Sequence, residues 1–434
     1  MTHGSSTERT IGVEGISRVE GEGSLRVVVR DGQVSDVALE IFEPPRYFEA
    51  MLVGRDFREA PDITSRICGI CPVAYQMSAC LAMEDACGVV VDDRVRALRR
   101  LLYCGEWIQS HALHVYLLHA PDFLGCADAV ELAERDRDSL TRGLDIKRVG
   151  NLVMSTIGGR AVHPVNVRVG GFYSAPTPSA IASLAESLRV ARDAAEATVE
   201  WVSGFEFPDV TGDYRFVALR EPDRYAIEGG EPTTNDGSTF SVAGFADAVV
   251  EEHVERSTAL QARLNGRDHY LTGPLARYAI NADLLPTRAA ASARAAGLDE
   301  TCRNPFRSIV VRAVELVAAC EDALSLVEAY EPPSPPATEV SPRAGVGTGA
   351  TEAPRGLLLQ QYEIDAAGVI RRARIVPPTS QNQLSIEDDL RRVVQDGLDL
   401  DDHDLQWRCE QAVRNHDPCI SCAAHFLDVQ VSRE

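Results

Sequence analysis

The stretch DPCISC, residues 417 to 422, carries two cysteines, Cys419 and Cys422, in a C-x-x-C spacing. A second C-x-x-C lies far upstream in SRICGICP, where it contains Cys68 and Cys71. Two such pairs can present four thiolates to one metal site, and soft thiolates favour zinc, copper(I), nickel or iron. Roughly 350 positions separate the pairs, so a shared site requires a fold that brings these two distant segments together.

The spacing alone leaves the kind of site open. A single C-x-x-C also suits thiol–disulfide chemistry, whereas two pairs favour a metal site. Structural zinc is the favoured form on spacing alone, although zinc ribbons usually separate their pairs by about 15 to 20 residues. The seven other cysteines are scattered among apolar neighbours and are predicted to be buried packing residues: Cys80, Cys87, Cys104, Cys126, Cys302, Cys320 and Cys409.

The composition indicates a globular protein and excludes some partners. The 434 residues are 45% hydrophobic and 25% charged, with a formal net charge of −22. An acidic chain lacks the basic footprint that nucleic-acid binding needs. No apolar run reaches the length of a membrane span, and the polar start MTHGSSTERT does not resemble a secretory signal. We therefore expect a cytoplasmic protein that is not an integral membrane protein.

Hydrophobic patterning predicts an α+β protein that is mostly α. Residues 11–43 alternate around an Asp31-Gly32 turn, which predicts an N-terminal β-hairpin. A mainly helical body follows over 47–330, interrupted by a mixed segment of short strands and loops at 207–284. The longest helical patterns fall at 92–120, 178–206 and 285–330.

The C-terminal part has fewer regular signals. Residues 331–351 are rich in proline and glycine and are predicted to lack regular structure. The run GVGTGA within them follows a Pro-rich coil rather than a strand, so it is not a phosphate-binding loop. The acidic run 387–405 is predicted to form an exposed helix and a turn. Residues 1–434 are interpreted as one unit, in which 331–425 carries the C-terminal half of the metal site.

With the neighbouring residues considered, the sequence resembles the large, catalytic subunit of the nickel–iron hydrogenases. The resemblance covers essentially the whole chain, and its motifs occur in the family's order. They are SRVEG (17–21), YFEAMLVGRDF (47–57), RICGICP (66–72), SHALHVYLLHAPDF (110–123), GGRAVHPVNVRVGGF (158–172), EAPRG (352–356), PPTSQN (377–382) and DPCISCAAH (417–425).

The resemblance implies that fold, with a central helical bundle, and a nickel–iron centre. Cys68, Cys71, Cys419 and Cys422 would bind nickel. Cys71 and Cys422 would also bridge to an iron that carries CO and cyanide ligands. The reaction implied is the reversible heterolytic oxidation of H2 and reduction of protons.

The resemblance also assigns roles around the centre. Arg355 would project its guanidinium over the metals, and Asp122 and Asp417 would complete a polar canopy with it. Thr379 would hydrogen-bond a cyanide ligand. Glu20, in SRVEG, would take a proton from a terminal cysteine, for which the first cysteine of the DPC motif is favoured, and pass it toward solvent.

A magnesium site and a processing step are implied near the C-terminal motif. Glu49 and His425 would be magnesium ligands, with waters and the backbone carbonyl near Ile375 completing the shell. In this family a maturation endopeptidase commonly cuts after the matching histidine once the metals are loaded. Residues 426–434 would then be a removable tail.

Departures from the usual pattern indicate a subgroup. Tyr75 stands where many members have a histidine that hydrogen-bonds a bridging sulfur, and Gln360 and Gln361 follow the Pro-Arg-Gly turn where many have histidine. These variations resemble the cytoplasmic bidirectional, NAD(P)-linked hydrogenases of the sulfhydrogenase type. The implied partners are a small subunit with iron–sulfur clusters, flavin-containing NAD(P) diaphorase subunits and nickel-insertion proteins.

Two other interpretations remain at this point. One is a non-catalytic protein in which the four cysteines hold a structural zinc ion. The other is a homologue of the quinone-site subunit of respiratory complex I, which shares the fold but lacks the metal cysteines. All four cysteines are present here, which disfavours the second.

Overall fold

The computed structural model of the chain describes residues 8–424. The β-strands are Glu8–Val13 (β1), Gly23–Arg30 (β2), Gln33–Ile41 (β3), Val167–Arg168 (β4), Gly171–Phe172 (β5), Val217–Arg220 (β6), Glu231–Thr234 (β7), Val249–His253 (β8), Leu260–Leu264 (β9), Gly345–Ala353 (β10), Gly356–Ile364 (β11) and Ile370–Val376 (β12). The α-helices are Phe48–Leu52 (α1), Ala60–Ser65 (α2), Pro72–Cys87 (α3), Asp93–Leu113 (α4), Ala120–Leu124 (α5), Ala129–Arg135 (α6), Arg137–Gly158 (α7), Pro178–Ala182 (α8), Leu184–Ser203 (α9), Val242–Ala248 (α10), Pro274–Asn281 (α11), Thr287–Ala295 (α12), Ser308–Glu328 (α13), Pro378–Asp396 (α14), Asp402–Arg414 (α15) and Ile420–Ala423 (α16).

The N-terminal sheet is antiparallel, with the order β1-β2-β3. The predicted hairpin is confirmed as β2 and β3, joined at Asp31 and Gly32. Both turn residues have positive φ, 51° and 75°, as a two-residue hairpin turn of the primed kind requires. The pairing of β1 with β2 adds a third strand, which begins before the predicted region at Glu8.

The predicted central helical bundle is confirmed by α4, α7, α9 and α13, which pack on one another. Helix α4 is buried on nearly all sides from Leu98 to Ala112, which is typical of a helix at the centre of a large core. A π-helical turn, His114–His119, joins α4 to α5. In residues 8–424, no helix has both the length and the apolarity needed to span a bilayer.

The prediction that 331–351 lacks regular structure is wrong for its last third. Gly345–Ala353 forms β10, which pairs with β11 in the sheet β10-β11-β12. Its glycines serve close packing, because a Cβ on Gly347 would lie 2.0 Å from Ala82 O, and one on Gly349 would lie 2.2 Å from Ser78 O. A glycine-rich strand can therefore lie directly on the backbone of α3.

The mixed character of 207–284 is confirmed, since two-stranded ladders β6-β7 and β8-β9 alternate there with α10 and α11. The predicted helix over 285–330 is two helices, α12 and α13, separated by a segment that includes Gly297 and Pro305.

The acidic run 387–405 does contain a helix and a turn, but its predicted exposure is wrong for the helix. Most of α14 is buried between β3, β9 and α15. Asp389 is fully buried because it has polar partners there. It accepts hydrogen bonds from the Tyr214 hydroxyl at 2.6 Å and lies 2.7 Å from His416 Nε2. Net charge in a sequence run does not reveal such partners.

Backbone contacts hold the C-terminal cysteine segment against the N-terminal part of the chain. Glu20 and Cys419 form an isolated parallel bridge, and Ile420 N donates to Glu20 O at 2.9 Å. Arg46 N donates to Ala424 O at 2.9 Å. The chain after Cys419 is thereby held between the N-terminal sheet and α1. His425 and the predicted tail 426–434 lie outside the described residues.

Candidate metal centre

Four cysteine sulfurs converge in the interior. The Sγ atoms of Cys68, Cys71, Cys419 and Cys422 all lie within 4.8 Å of one another. The closest pairs are Cys68 with Cys419 at 3.6 Å and Cys71 with Cys422 at 4.0 Å. All four residues are at most 3% exposed. The other seven cysteines are buried and free, as predicted.

The first pair occupies a loop between α2 and α3. The backbone N–H groups of Ile70 and Cys71 point at Cys68 Sγ, at 3.3 and 3.4 Å. Cys71 is the N-cap residue of α3, and Pro72 is in the helix's first turn. Proline is suited to that position, and the positive end of the helix dipole favours a thiolate. The sequence SRICGICP therefore forms a turn that presents both sulfurs.

The second pair lies at α16. Cys419 N donates to Thr379 Oγ1 at 2.9 Å, which ties the pair to the first turn of α14. The Thr379 hydroxyl accepts this bond and keeps its own proton available for another acceptor. Burial holds these sulfurs away from water.

The thiols cannot all ionise without a cation. Hydrogen bonds from the other three cysteines lower the pKa of Cys68 well below its usual value. Burial raises the pKa of Cys419 well above its usual value, and neighbouring thiol groups add to this effect. Bound metal would supply the positive charge that allows four thiolates to coexist in this volume.

Arg355 lies at the tip of the β10–β11 hairpin and is buried. Its Nε is 3.2 Å from Asp417 Oδ1. Burial alone would lower its pKa, but the charges of Asp417 and of the cysteines keep that pKa well above its usual value. Within residues 8–424, Arg355 Nη1 and Asp417 Oδ2 have no hydrogen-bond partner. These unused groups can bind a ligand that the protein itself does not supply.

Asp122 has a different arginine partner from the one implied by the resemblance. Its carboxylate accepts hydrogen bonds from Arg414 Nε at 2.8 Å and from Arg414 Nη2 at 2.7 Å. Arg18 Nη2 donates to it at 2.5 Å. Asp122 thus joins α5 to the end of α15, just before Asp417. Its ion pairs are with Arg414 and Arg18, whereas the carboxylate that pairs with Arg355 is Asp417.

Glu20 is in direct contact with the sulfurs. Cys419 Sγ donates to Glu20 Oε2 at 3.0 Å, and Ser421 N donates to the same oxygen at 3.1 Å. Ser421 Oγ in turn donates to Glu43 Oε2 at 2.7 Å. A polar route therefore leads from a site sulfur to the partly buried Glu43.

Glu49 and Ile375 are adjacent, as the resemblance implied, but the observed contact involves the backbone nitrogen. Ile375 N donates to Glu49 Oε1 at 2.6 Å. Burial raises the pKa of Glu49 to about 7, and the charge of nearby Glu251 adds to this effect. A partly buried carboxylate of this kind fits a cation site. The third predicted ligand, His425, lies outside the described residues.

Tyr75, which replaces a usual histidine, is buried on α3 beside the sulfurs. Burial raises its pKa well above the usual value, and the charge of Cys422 contributes. Its hydroxyl has no partner of normal hydrogen-bond geometry within the described chain. His163 lies with Nδ1 2.8 Å from Ser65 O.

Two residues of α4 hold the first cysteine loop and were not found from the sequence. Glu106 accepts Val73 N at 2.6 Å and Ala74 N at 3.1 Å. Gln109 Nε2 donates to Ile70 O at 2.6 Å. Their only sequence signal is polarity inside the apolar run LLYCGEWIQ, which does not identify what they contact.

The chain is similar to known hydrogenase proteins. The sequence profile described as nickel-dependent hydrogenase matches residues 46–143. Sulfhydrogenase 1 subunit alpha of Pyrococcus furiosus is 34% identical over 96% of this chain and 98% of its own length. Sulfhydrogenase 2 subunit alpha of the same organism is 32% identical, with 96% and 99% coverage.

Solved structures agree with these relatives. An NAD+-reducing [NiFe]-hydrogenase in the H2-reduced state superposes with a TM-score of 0.86 and 27% identity, covering 97% of this chain and 100% of that chain. A Ni-Fe-Se hydrogenase from D. vulgaris Hildenborough superposes with a TM-score of 0.78 at 23% identity, with 96% and 100% coverage, and shares the fold.

Proposed function

The chain belongs to the nickel-dependent hydrogenase family, and from this premise we propose that it is the catalytic large subunit of a nickel–iron hydrogenase. It would act as an oxidoreductase that splits H2 heterolytically into protons and electrons and also runs the reverse reaction. The observation that carries this function is the buried set of four cysteine sulfurs from two distant segments. The unused donor on Arg355 and the Glu20–Cys419 contact distinguish it from a closed zinc site.

The four cysteines would hold the metals. Cys68, Cys71, Cys419 and Cys422 would bind nickel, and Cys71 and Cys422 would also bind an iron with CO and cyanide ligands. When bound, the metals would supply the redox and Lewis-acid chemistry of H2 activation. The hydroxyl of Tyr75, beside Cys422, would donate a hydrogen bond to that sulfur. Tyr75 would so replace the usual histidine.

The surrounding residues would orient and stabilise charge. Arg355 would direct its free Nη1 donor toward the reacting position, where a fixed guanidinium stabilises developing negative charge. Asp417 would orient Arg355, and Asp122 would hold Arg414 behind them. The Thr379 hydroxyl oxygen already accepts a hydrogen bond from Cys419 N. The same hydroxyl would donate a hydrogen bond to a cyanide ligand.

Glu20 would carry the proton. Its Oε2 atom is 3.0 Å from Cys419 Sγ, which is within the range for direct proton transfer. The carboxylate would take the proton from this sulfur and deliver it toward solvent on the side of Glu43.

A magnesium ion would bind near the C-terminal motif. Glu49, the backbone of Ile375 and His425 would contribute, with waters completing the octahedral shell that Mg2+ prefers. Cleavage after His425 by a maturation endopeptidase would follow metal insertion. Intact-mass measurement of the active, nickel-loaded subunit tests this step: a mass that still includes residues 426–434 would contradict it.

The enzyme would work as a cytoplasmic complex. Electrons would leave through a small subunit with iron–sulfur clusters and continue to flavin-containing diaphorase subunits and NAD(P). The sulfhydrogenase relatives and the NAD+-reducing structural neighbour support this linkage. Nickel-insertion proteins would load the site.

Metal analysis of the complex matured in its native host tests the function. We expect about one nickel and one iron per large subunit, infrared bands of CO and cyanide, and H2-dependent reduction of an artificial acceptor. Purified complex that contains only zinc at this subunit, with no such bands and no H2 uptake, would replace the proposal with a structural zinc protein.

A further inference from the structure

The arginine of the Pro-Arg-Gly turn owes its position to a tight hairpin. Ala353 pairs with Gly356, so Pro354 and Arg355 form the two-residue tip between β10 and β11. The backbone of Gly273 packs directly against this tip. A Cβ on Gly273 would lie only 2.7 Å from Arg355 O. The hairpin alone does not determine how the tip is oriented relative to the cysteines.

A second buried arginine, Arg277 of α11, binds the carbonyl groups of the two residues before Arg355. Arg277 Nη1 donates to Ala353 O at 2.8 Å, and Arg277 Nη2 donates to Pro354 O at 2.9 Å. The planar guanidinium presents these donors in a rigid fork. The orientation of both carbonyls is therefore tied to one side chain.

Arg277 is itself held by three elements. Its Nε and Nη2 donate to Glu315 of α13, both at 2.7 Å, and its Nη1 donates to Glu352 at 3.2 Å. Its guanidinium carbon lies 4.4 Å from the ring centre of Trp107 on α4. Trp107 Nε1 donates to Glu352 O at 2.9 Å. All five N–H donors of Arg277 are thereby used, in a site without water access.

The charges in this cluster favour a fixed arrangement. Burial alone would raise the pKa of Glu315, but the Arg277 charge and its hydrogen bonds bring that pKa down to about 2. Glu315 therefore stays ionised opposite Arg277. Removing one member of a buried pair leaves the other charge uncompensated, so the pair resists rearrangement.

The two arginines differ in how their donors are used. All five N–H donors of Arg277 are used by protein groups, whereas Arg355 Nη1 has no hydrogen-bond partner within residues 8–424. We propose that Arg277 is a positioning residue that sets the orientation of Arg355 over the four-cysteine site through the carbonyls of Ala353 and Pro354. This inference rests on the proposed function of Arg355. It attributes the orientation of Arg355 to a residue outside the four-cysteine site.

The first test is Arg277→Lys in the complete complex matured in its native host. A lysine keeps the charge beside Glu315 but cannot hold two carbonyls and two carboxylate oxygens at once. We expect nickel and iron content to be retained and H2 turnover per bound nickel to fall about 10- to 100-fold, because displacement of a catalytic group by about 1 Å has effects of this size.

The matched control is Arg99→Lys. Arg99, on α4, is buried like Arg277 and makes a bidentate ion pair with Glu84, at 3.0 and 2.6 Å. Its hydrogen bonds do not involve the hairpin tip. It should retain turnover per nickel. Trp107→Phe is made in parallel in case Arg277→Lys does not fold. It keeps an aromatic face under Arg277 and deletes the hydrogen bond to Glu352 O, so a several-fold loss in the same direction is expected.

A double-mutant cycle with Arg355→Lys separates positioning from a general structural effect. If Arg277 acts through Arg355, then Arg277→Lys, or Trp107→Phe in its place, has little further effect on turnover per nickel in the Arg355→Lys background. Additive losses, or unchanged turnover in both Arg277→Lys and Trp107→Phe, would overturn this inference alone. Unchanged turnover in Arg355→Lys itself would instead overturn the proposed role of Arg355.

Discussion

At the scale of single residues, Arg414 and Arg355 differ in how fully the protein uses their hydrogen-bond donors. The Arg414 guanidinium donates to Asp122, Glu410 and the backbone carbonyl of Ser17. Arg355 and Asp417 keep unused polar atoms although both are buried. A buried polar atom without a partner is costly, and beside four convergent thiols such atoms are suited to bind a ligand or reactant.

Glu20→Gln should block proton exit while leaving the site assembled. The amide keeps the side-chain shape and can still accept Ser421 N, but it cannot take a proton from Cys419. We expect normal nickel content and a loss of roughly 100-fold or more in H2/D2O exchange. Glu22→Gln is the control, because Glu22 is exposed and adjacent in sequence. Exchange at the normal rate in Glu20→Gln would show that another group carries the proton.

At the scale of elements, α4 links the two halves of the site. Glu106 and Gln109 hold the 68–74 segment, while Tyr103 and Trp107 contact Thr351 and Glu352 on β10. The cysteine loop and the arginine hairpin are therefore attached to the same two turns of one helix. This explains why α4 is polar at several fully buried positions.

Glu106→Gln should loosen the start of α3. One Glu106 oxygen accepts Val73 N and the other accepts Ala74 N, so an amide nitrogen in place of either oxygen leaves an N–H unpaired. We expect destabilisation of about 1–3 kcal/mol, measured as a lower unfolding temperature than that of the unsubstituted protein. Glu186→Gln, on the exposed first turn of α9, should leave the unfolding temperature unchanged. Equal stability of Glu106→Gln and Glu186→Gln would contradict this capping role.

At the scale of the whole molecule, the surface beside the first cysteine loop is apolar. Val162, Val165 and Tyr173 are 49%, 51% and 63% exposed. Val162 Cγ1 lies next to Gly69, between Cys68 and Cys71. Neighbouring exposed apolar side chains are typical of a contact surface. This position suits the small subunit, because electrons must leave close to the metal ligands.

Val162→Asp should therefore weaken assembly with the small subunit. A charge at the centre of an apolar contact loses its hydration without gaining a partner. We expect the large subunit to elute alone in size-exclusion chromatography, with its nickel content retained. Val190→Asp on α9 introduces the same charge at a position that is 60% exposed and should leave assembly intact. Co-elution of both variants with the small subunit would place the contact elsewhere.

The buried side chain of His111, which lies 3.0 Å from Glu315, should also make stability depend on pH. Burial lowers the pKa of His111 from 6.5 to about 4, although Glu315 opposes the shift and Arg277 adds to it. Between these values the unfolded chain binds a proton that the folded chain does not. The resulting loss of stability is absent above pH 6.5 and grows as pH falls toward 4, to roughly 3 kcal/mol.

His111→Gln should remove this component. The stability difference between the variant and the unsubstituted protein, measured by denaturant unfolding from pH 7 to pH 4, should shift toward the variant as pH falls. His403→Gln changes an exposed histidine and should show no such shift. A pH-independent difference for His111→Gln would mean that His111 is already protonated in the folded protein.

Much of the molecule follows from local sequence. The Asp31-Gly32 hairpin and the helical pattern over 92–120 depend on neighbouring residues and are confirmed. The paired C-x-x-C motifs identified the four sulfurs, since two thiols three positions apart are local chemistry. The glycines of β10 were misinterpreted because glycine reads as a loop signal unless the backbone that it packs against is known.

The tertiary structure decided which partners complete the site. The pairing of Asp122 with Arg414 rather than Arg355, the support of the cysteine loop by Glu106, and the grip of Arg277 on the Pro-Arg-Gly turn all join residues that are distant in sequence. A buried charge is tolerated only where an opposite charge or a hydrogen bond meets it. Local sequence determines that such groups exist, whereas the packing of α4, α11 and α13 around the hairpin determines what each of them holds.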